Sequence, residues 1–162
     1  MKVTMYTVVL SLTMLACSGE KAEANHDSGN STATIQQTPS ATQAYMVVKD
    51  ALVQTNGTAA KTAASDLVKA LEAADMSAEM IAAANTIAGT EDVEAQRTAF
   101  KTVTDGLIAV LKNNETTDGV FVQYCPMAFG NTGASWLSLS NEIRNPYFGD
   151  RMLKCGRVNE EL

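Results

Sequence analysis

The sequence predicts an all-α protein: an antiparallel up-down bundle of about four helices, closed by an irregular C-terminal cap that contains one short extended segment. Three observations lead there. Apolar residues recur at spacings of three and four between Tyr45 and Leu111, the period of helices that bury one face. Turn and cap residues at Asn56-Gly57, Ser77 and Gly89-Thr90 interrupt that period, and the short links they leave favour antiparallel neighbours. Beyond Asn114 the helical period stops, and Gly130, Gly133, Asn145-Pro146 and Gly149 break the chain every few residues, which excludes further long helices.

The first 16 residues stand outside the fold. Met1-Lys2 is a short positive start, and the apolar run Val8 to Ala16 is too short to span a bilayer as a helix. Met14-Leu15-Ala16-Cys17-Ser18 resembles a bacterial lipoprotein signal, with Met14 where leucine is usual. The resemblance implies removal of residues 1–16 and a lipid on Cys17, hence a membrane anchor without a membrane span. Residues 18–40 hold a single large aliphatic residue, Ile35. They bury too little to offset the entropy of ordering, so residues 17–40 read as a lipidated cysteine and its flexible tether, reaching roughly 25 Å. The one histidine of the chain, His26, falls in this tether and reads as a solvated linker residue.

Residues 41–162 are then the folded domain. Pro39-Ser40 starts a helix with the stripe Tyr45, Val48, Leu52, stopped at Asn56-Gly57. Thr58 opens a second, with Ala60, Ala64, Leu67, Leu71 and Ala74 on one face. Ser77 caps a third, carrying Met80, Ile81, Ala84 and Ile87 up to Gly89. Thr90 opens the fourth, with Glu91 and Asp92 at the positive end of its dipole and Val93, Phe100, Val103, Leu107, Val110 and Leu111 as its stripe. None of the stripes carries a Glu-x-x-His metal pattern, and Met46, Met76 and Met80 read as filler. In the cap, Val120 to Tyr124 is the extended segment, and short helices are expected near Ser140–Arg144 and Gly149–Lys154.

Composition excludes several functions. Losing residues 1–16 removes one lysine and no acid, moving the formal net charge from -6 to -7. An acidic body without a basic cluster is not a nucleic-acid binder. The folded body has no histidine, so no Ser-His-Asp or Cys-His centre can be assembled, and no phosphate-binding loop is present. The protein is not expected to be an enzyme.

What remains is sulfur. With Cys17 assigned to lipid, Cys125 and Cys155 are left as a pair in a compartment that tolerates disulfides. In Cys125-Pro126-Met127 an extended backbone would point Cys125 and Met127 to one side. In Met152-x-x-Cys155 a helical turn would do the same for Met152 and Cys155. Two thiolates and two thioethers suit Cu(I) or Ag(I) better than harder ions. Alternatively, a Cys125–Cys155 disulfide would close a loop of about 31 residues and stabilise the fold by about 3–4 kcal/mol. Disulfide, metal site and unpaired thiols all stay open. The aromatic residues Phe129, Trp136, Tyr147 and Phe148, with Leu137, are expected to seal the cap onto the bundle, and Glu142 with Arg144 to form a surface pair.

V-Q-Y-C-P-M-A, G-A-S-W-L-S and E-I-R-N-P-Y-F-G-D-R-M-L-K-C-G resemble the signature of an uncharacterised family of Gram-negative envelope proteins. Its members are often lipoproteins with an alanine-rich helical region, and the same domain is found appended to membrane-fusion subunits of copper and silver efflux systems. The Cys-Pro-Met core is similar to that of small heavy-metal-binding domains in the same setting. The resemblance spans roughly residues 41–162, with its specificity in the C-terminal third. It implies Cys125, Met127, Met152 and Cys155 as a Cu(I)-binding sulfur set, with Tyr124, Trp136 and Tyr147 standing behind the ligands. It further implies a lipid-anchored location in the bacterial cell envelope, with an efflux membrane-fusion protein as a partner that takes over the metal. The rival expectation is a disulfide-stapled helical module that docks onto an envelope complex without metal.

Overall fold

Residues 40–113 and 119–162 are described by the structure, a computed structural model. The expected signal sequence, the lipid on Cys17 and the tether with His26 lie outside the described residues, except for Ser40.

Ser40 begins α1 (Ala41–Val53): its hydroxyl accepts from Gln43 N while the Gln43 side chain accepts from Ser40 N, a reciprocal capping box. α2 (Gly57–Ala73) is capped by Asn56, whose Oδ1 accepts from Ala59 N, rather than by Thr58. Ser77 caps α3 (Ala78–Gly89) as expected. Asp92 caps α4 (Val93–Lys112) by accepting from Glu94 N and Ala95 N, while Thr90 only braces Asp92. Each helix packs on the next in chain order. Tyr45, Val48, Leu52, Ala60, Leu67, Leu71, Met80, Ile87, Phe100, Val103 and Leu107 are all buried, so the stripes read from spacing are the core. Ala74, the C-cap of α2, is exposed, and Ile81, Val93, Val110 and Leu111 are only partly buried. No helix among the described residues is long and apolar enough to cross a membrane.

The cap corrects the all-α expectation. It is a three-stranded antiparallel sheet in the order β2-β1-β3. β1 is Phe121–Cys125, the expected extended segment, and it lies between β2 (Ala134–Ser138) and β3 (Arg157–Glu161). Cys125 faces Ala134 and Gln123 faces Trp136 across the β1–β2 ladder. On the other side Val122 pairs Glu160 and Gln123 pairs Val158, so Asn159 is bulged out. The helix expected at Ser140–Arg144 is absent; those residues are bends and irregular chain. Gly149–Arg151 is one turn of 3-10 helix that stops before Lys154. A further helical turn, Ala128–Asn131, carries left-handed backbone at Phe129 (φ 50°) and Gly130 (φ 66°).

Two polar groups lock cap to bundle. The buried Tyr45 hydroxyl accepts from Leu137 N (3.1 Å) and lies 2.9 Å from Thr104 Oγ1, whose own hydroxyl donates to Phe100 O. Arg97, 2% exposed, donates through Nε to Pro146 O (2.8 Å) and through its terminal nitrogens to Leu52 O, Thr55 Oγ1 and the carboxylate of Glu94. The Leu52 carbonyl, in the last turn of α1, also accepts from Thr55 N (3.1 Å), so Arg97 is its second donor. Gly149, at φ 56°, fits against this group because a Cβ there would collide with Thr55 Oγ1 and approach Arg97 to 2.8 Å.

The chain from Leu139 to Gly156 lies over one face of the sheet. Gln123 Nε2 donates to the carbonyls of Ser140 and Glu142, and a side chain on Gly156 would strike the Trp136 ring. Tyr147 completes the seal: it packs near Phe100 and edge-on to Phe129 and Trp136, and its hydroxyl donates to Ser135 O at 2.5 Å.

Candidate functional site

Cys125 ends β1 and is fully buried, while Cys155 is half-exposed on the turn that leads into β3. Their Sγ atoms are 2.9 Å apart, although the residues are 30 positions apart in sequence. The backbone at Cys155 is fixed from three sides. Its N–H donates to Met152 O (3.0 Å), its carbonyl accepts from Asn145 Nδ2 (2.7 Å), and Gly156 lies against Trp136. The Asn145 side chain also accepts from Tyr147 N, so the N-P-Y turn and the cysteine turn hold one another. The fold thus brings into contact the two thiols for which the sequence left disulfide, metal site and unpaired states open.

The thioethers sit differently from the way spacing suggested. Met127 is not in an extended segment: β1 ends at Cys125, Pro126-Met127 is a turn, and Met127 has helical backbone (φ -89°, ψ -10°). The i, i+2 rule that would align its sulfur with Cys125 therefore does not apply. Met127 is 45% exposed and lines a pocket of about 370 Å³ with Arg97, Phe129, Tyr147, Phe148 and Arg151, among whose lining residues neither cysteine is found. Met152 has φ -150° and ψ 53° and starts a tight turn rather than a helical one. It is half-exposed. Among the described residues no group of three or more His, Cys, Asp or Glu is placed to hold a metal ion.

Of the aromatic residues expected behind the ligands, Trp136 lies against Gly156, the residue after Cys155. Its indole Nε1 is buried without a hydrogen-bond partner. Tyr147 packs edge-on to Trp136, and burial raises its phenol well above the ordinary range, so it offers no phenolate. Tyr124 lies across Gly133 with the Arg157 guanidinium 5.2 Å above its ring. Glu142 pairs with Lys154 rather than Arg144, and that contact, chiefly its hydrogen bond, holds the Glu142 carboxyl below its usual range.

The thiols differ in chemistry as well as access. The hydrogen bond to Cys125, then desolvation, then the neighbouring sulfur's charge, push Cys155 up to about 11. At a pH near 8 such a thiol should be alkylated on the order of a hundredfold more slowly than an ordinary exposed cysteine, because only its thiolate reacts. The iodoacetamide rate of the reduced protein should keep rising to about pH 11, and Cys125→Ala should bring that midpoint down towards the usual thiol range. A wild-type midpoint near 8.5 would show that the sulfur–sulfur contact does not exist in solution. The sign for stability follows: the folded state keeps a proton that the unfolded state loses, so the reduced protein weakens as pH rises from the ordinary thiol value towards 11.

Two sulfurs 2.9 Å apart lie between two states. A disulfide brings them to about 2.05 Å, and two thiolates on one tetrahedral ion with bonds of about 2.3 Å stand about 3.8 Å apart. Closing or opening by about one ångström, through the Cys155 side chain on its turn, reaches either.

Residues 41–119 match the family described as "Protein of unknown function (DUF3347)". The match covers all four long helices and stops just before β1, whereas the resemblance drawn from sequence found its most specific motifs in the cap. No curated protein and no solved structure matches the chain.

Proposed function

We propose that this is a lipid-anchored protein of the bacterial cell envelope whose cap holds a soft metal ion, Cu(I) foremost, between Cys125 and Cys155, for sequestration or for hand-over to an efflux membrane-fusion protein. One observation carries it: two thiols from distant parts of the chain converge at 2.9 Å, one buried and one half-exposed. Two cysteines without histidine are donors for a soft monovalent ion and too few for a structural zinc. Met127 and Met152 are the candidate weaker thioether ligands beside them. The reading is of a binding protein and not an enzyme, in keeping with a body that has neither histidine nor a phosphate loop.

A second reading is favoured by the separation itself, which is shorter than two ligands of one ion show. In it the pair is oxidised, the Leu139–Gly156 chain is pinned over the sheet, and the protein is a stapled docking module of an envelope complex. Native mass spectrometry separates the two. Protein reduced, desalted and loaded anaerobically with Cu(I) should carry one copper per chain, lost in Cys125→Ser and in Cys155→Ser. A mass two hydrogens low that persists under mild reductant, with no copper taken up after full reduction, would sink the metal reading and leave the staple.

A further inference from the structure

The two cysteines are unequal in a way that assigns each a separate chemical role. Cys125 lies at the inner end of β1, opposite Ala134, with no exposed surface. Cys155 is half-exposed on a turn whose backbone is tied by Met152 and Asn145. A reagent of any size can therefore reach only one of the two sulfurs, and the other waits 2.9 Å behind it.

We infer that Cys155 is the site at which a small, unhindered disulfide exchanges with this protein, and that Cys125 is the resolving thiol that completes its oxidation. The Cys155 thiolate attacks one sulfur of the incoming disulfide. That bond breaks, a mixed disulfide forms on Cys155, and the other half leaves as a thiolate that takes up the proton Cys155 gave up. Cys125, deprotonated in its turn, then attacks Cys155 Sγ. The mixed bond breaks, the Cys125–Cys155 bond forms, and the second half leaves as a thiol. Two protein thiols are oxidised and one external disulfide is reduced to two thiols. The second step is intramolecular between sulfurs already in contact, so it outruns the first. The mixed species is consequently transient in the wild type.

This inference needs no metal and stands whether or not the pair takes up Cu(I). Where both hold, exchange at Cys155 closes the site by consuming both ligands. The roles also run in reverse: a small reducing thiol attacks the oxidised pair at Cys155 Sγ, and Cys125 is the leaving group.

The test uses the Cys17→Ser protein, reduced and kept in chelator so that only the two thiols and no metal take part. Oxidised glutathione is added at about pH 8.5 and intact masses are followed. The parent protein should move to a species two hydrogens lighter with little adduct. Cys125→Ala should accumulate one stable glutathionyl adduct on Cys155. Cys155→Ala should stay unmodified until urea is added. Because either variant could expose its remaining thiol by loosening the cap, the deciding measurement is on the unmutated pair. Brief alkylation with limiting iodoacetamide, followed by peptide mapping, should mark Cys155 over Cys125 by at least about tenfold. Equal marking of the two, or a preference for Cys125, would overturn the assignment. Absence of the adduct in folded Cys125→Ala would do the same.

Discussion

Arg97→Leu is expected to lower the stability of the folded domain by about 2–4 kcal/mol. Arg97 is 2% exposed and its guanidinium ends on four groups from three parts of the chain: Leu52 and Thr55 at the C-terminal end of α1, Glu94 on its own helix, and Pro146 in the cap. Leucine fills most of the volume but takes the donor from the Pro146 carbonyl, at about 1–3 kcal/mol when no water replaces it, while the Leu52 carbonyl keeps the Thr55 N–H. It also severs the polar tie between bundle and cap. Losing the pairing to Glu94 adds little, because that carboxylate is largely exposed and is also held by Arg151. Arg97→Lys should recover only part, since one ammonium cannot span contacts on opposite edges of a planar fork. Urea unfolding measures both. A loss under about 1 kcal/mol for the leucine variant would mean that the clamp contributes no more than packing does.

The second large effect concerns the thiol pair. If the oxidised form is the resident one, reduction should cost about 3–4 kcal/mol, the loop-entropy value for a bridge across a loop of about 31 residues. Cys125→Ser and Cys155→Ser should then each lose that amount under oxidising conditions and nothing further on reduction. Thermal melts with and without reductant give the number, and Trp136 fluorescence should report the change locally. Equal stability of the two redox forms would remove the staple and leave the dithiol as the working state.

The bundle was legible because its helices follow simple rules: one apolar stripe each, a polar cap at each start, and short links. The polar core was not, yet the stripe on α4 carries a trace of it. Val93 and Phe100 are seven positions apart, with no apolar residue on that face between them. The gap is filled by Gln96 and Arg97, both buried. Gln96 Nε2 donates to Gly57 O and Thr90 O, fastening the start of α2 to the link before α4. A polar residue interrupting an otherwise continuous stripe is more naturally read as a break than as a ligand for backbone carbonyls.

The sheet escaped for two different reasons. β2 is buried on both faces at Trp136 and Leu137, so Ala-Ser-Trp-Leu-Ser shows no alternation of apolar and polar residues. β3 reads Arg-Val-Asn-Glu-Glu, a composition poor in strand formers. It becomes a strand because β1 offers it a free ladder, and its charges suit an edge position. That Cys125 and Cys155 could pair was legible from the cysteine count, whereas the methionine geometry rested on local conformations that Pro126 and the turn at Met152 do not adopt. Sequence spacing predicts facing side chains only when the backbone state is already known.

The family match ends at residue 119, yet the groups that fasten the cap are Tyr45 and Arg97, which lie far upstream. Cap and bundle are therefore not interchangeable parts with a seam at that boundary. A cap transplanted onto another helical bundle would arrive without its receptors: no hydroxyl for the Leu137 amide, no guanidinium for the Pro146 carbonyl. Whatever Cys125 and Cys155 do, the framework that holds them extends upstream to Tyr45 and Arg97.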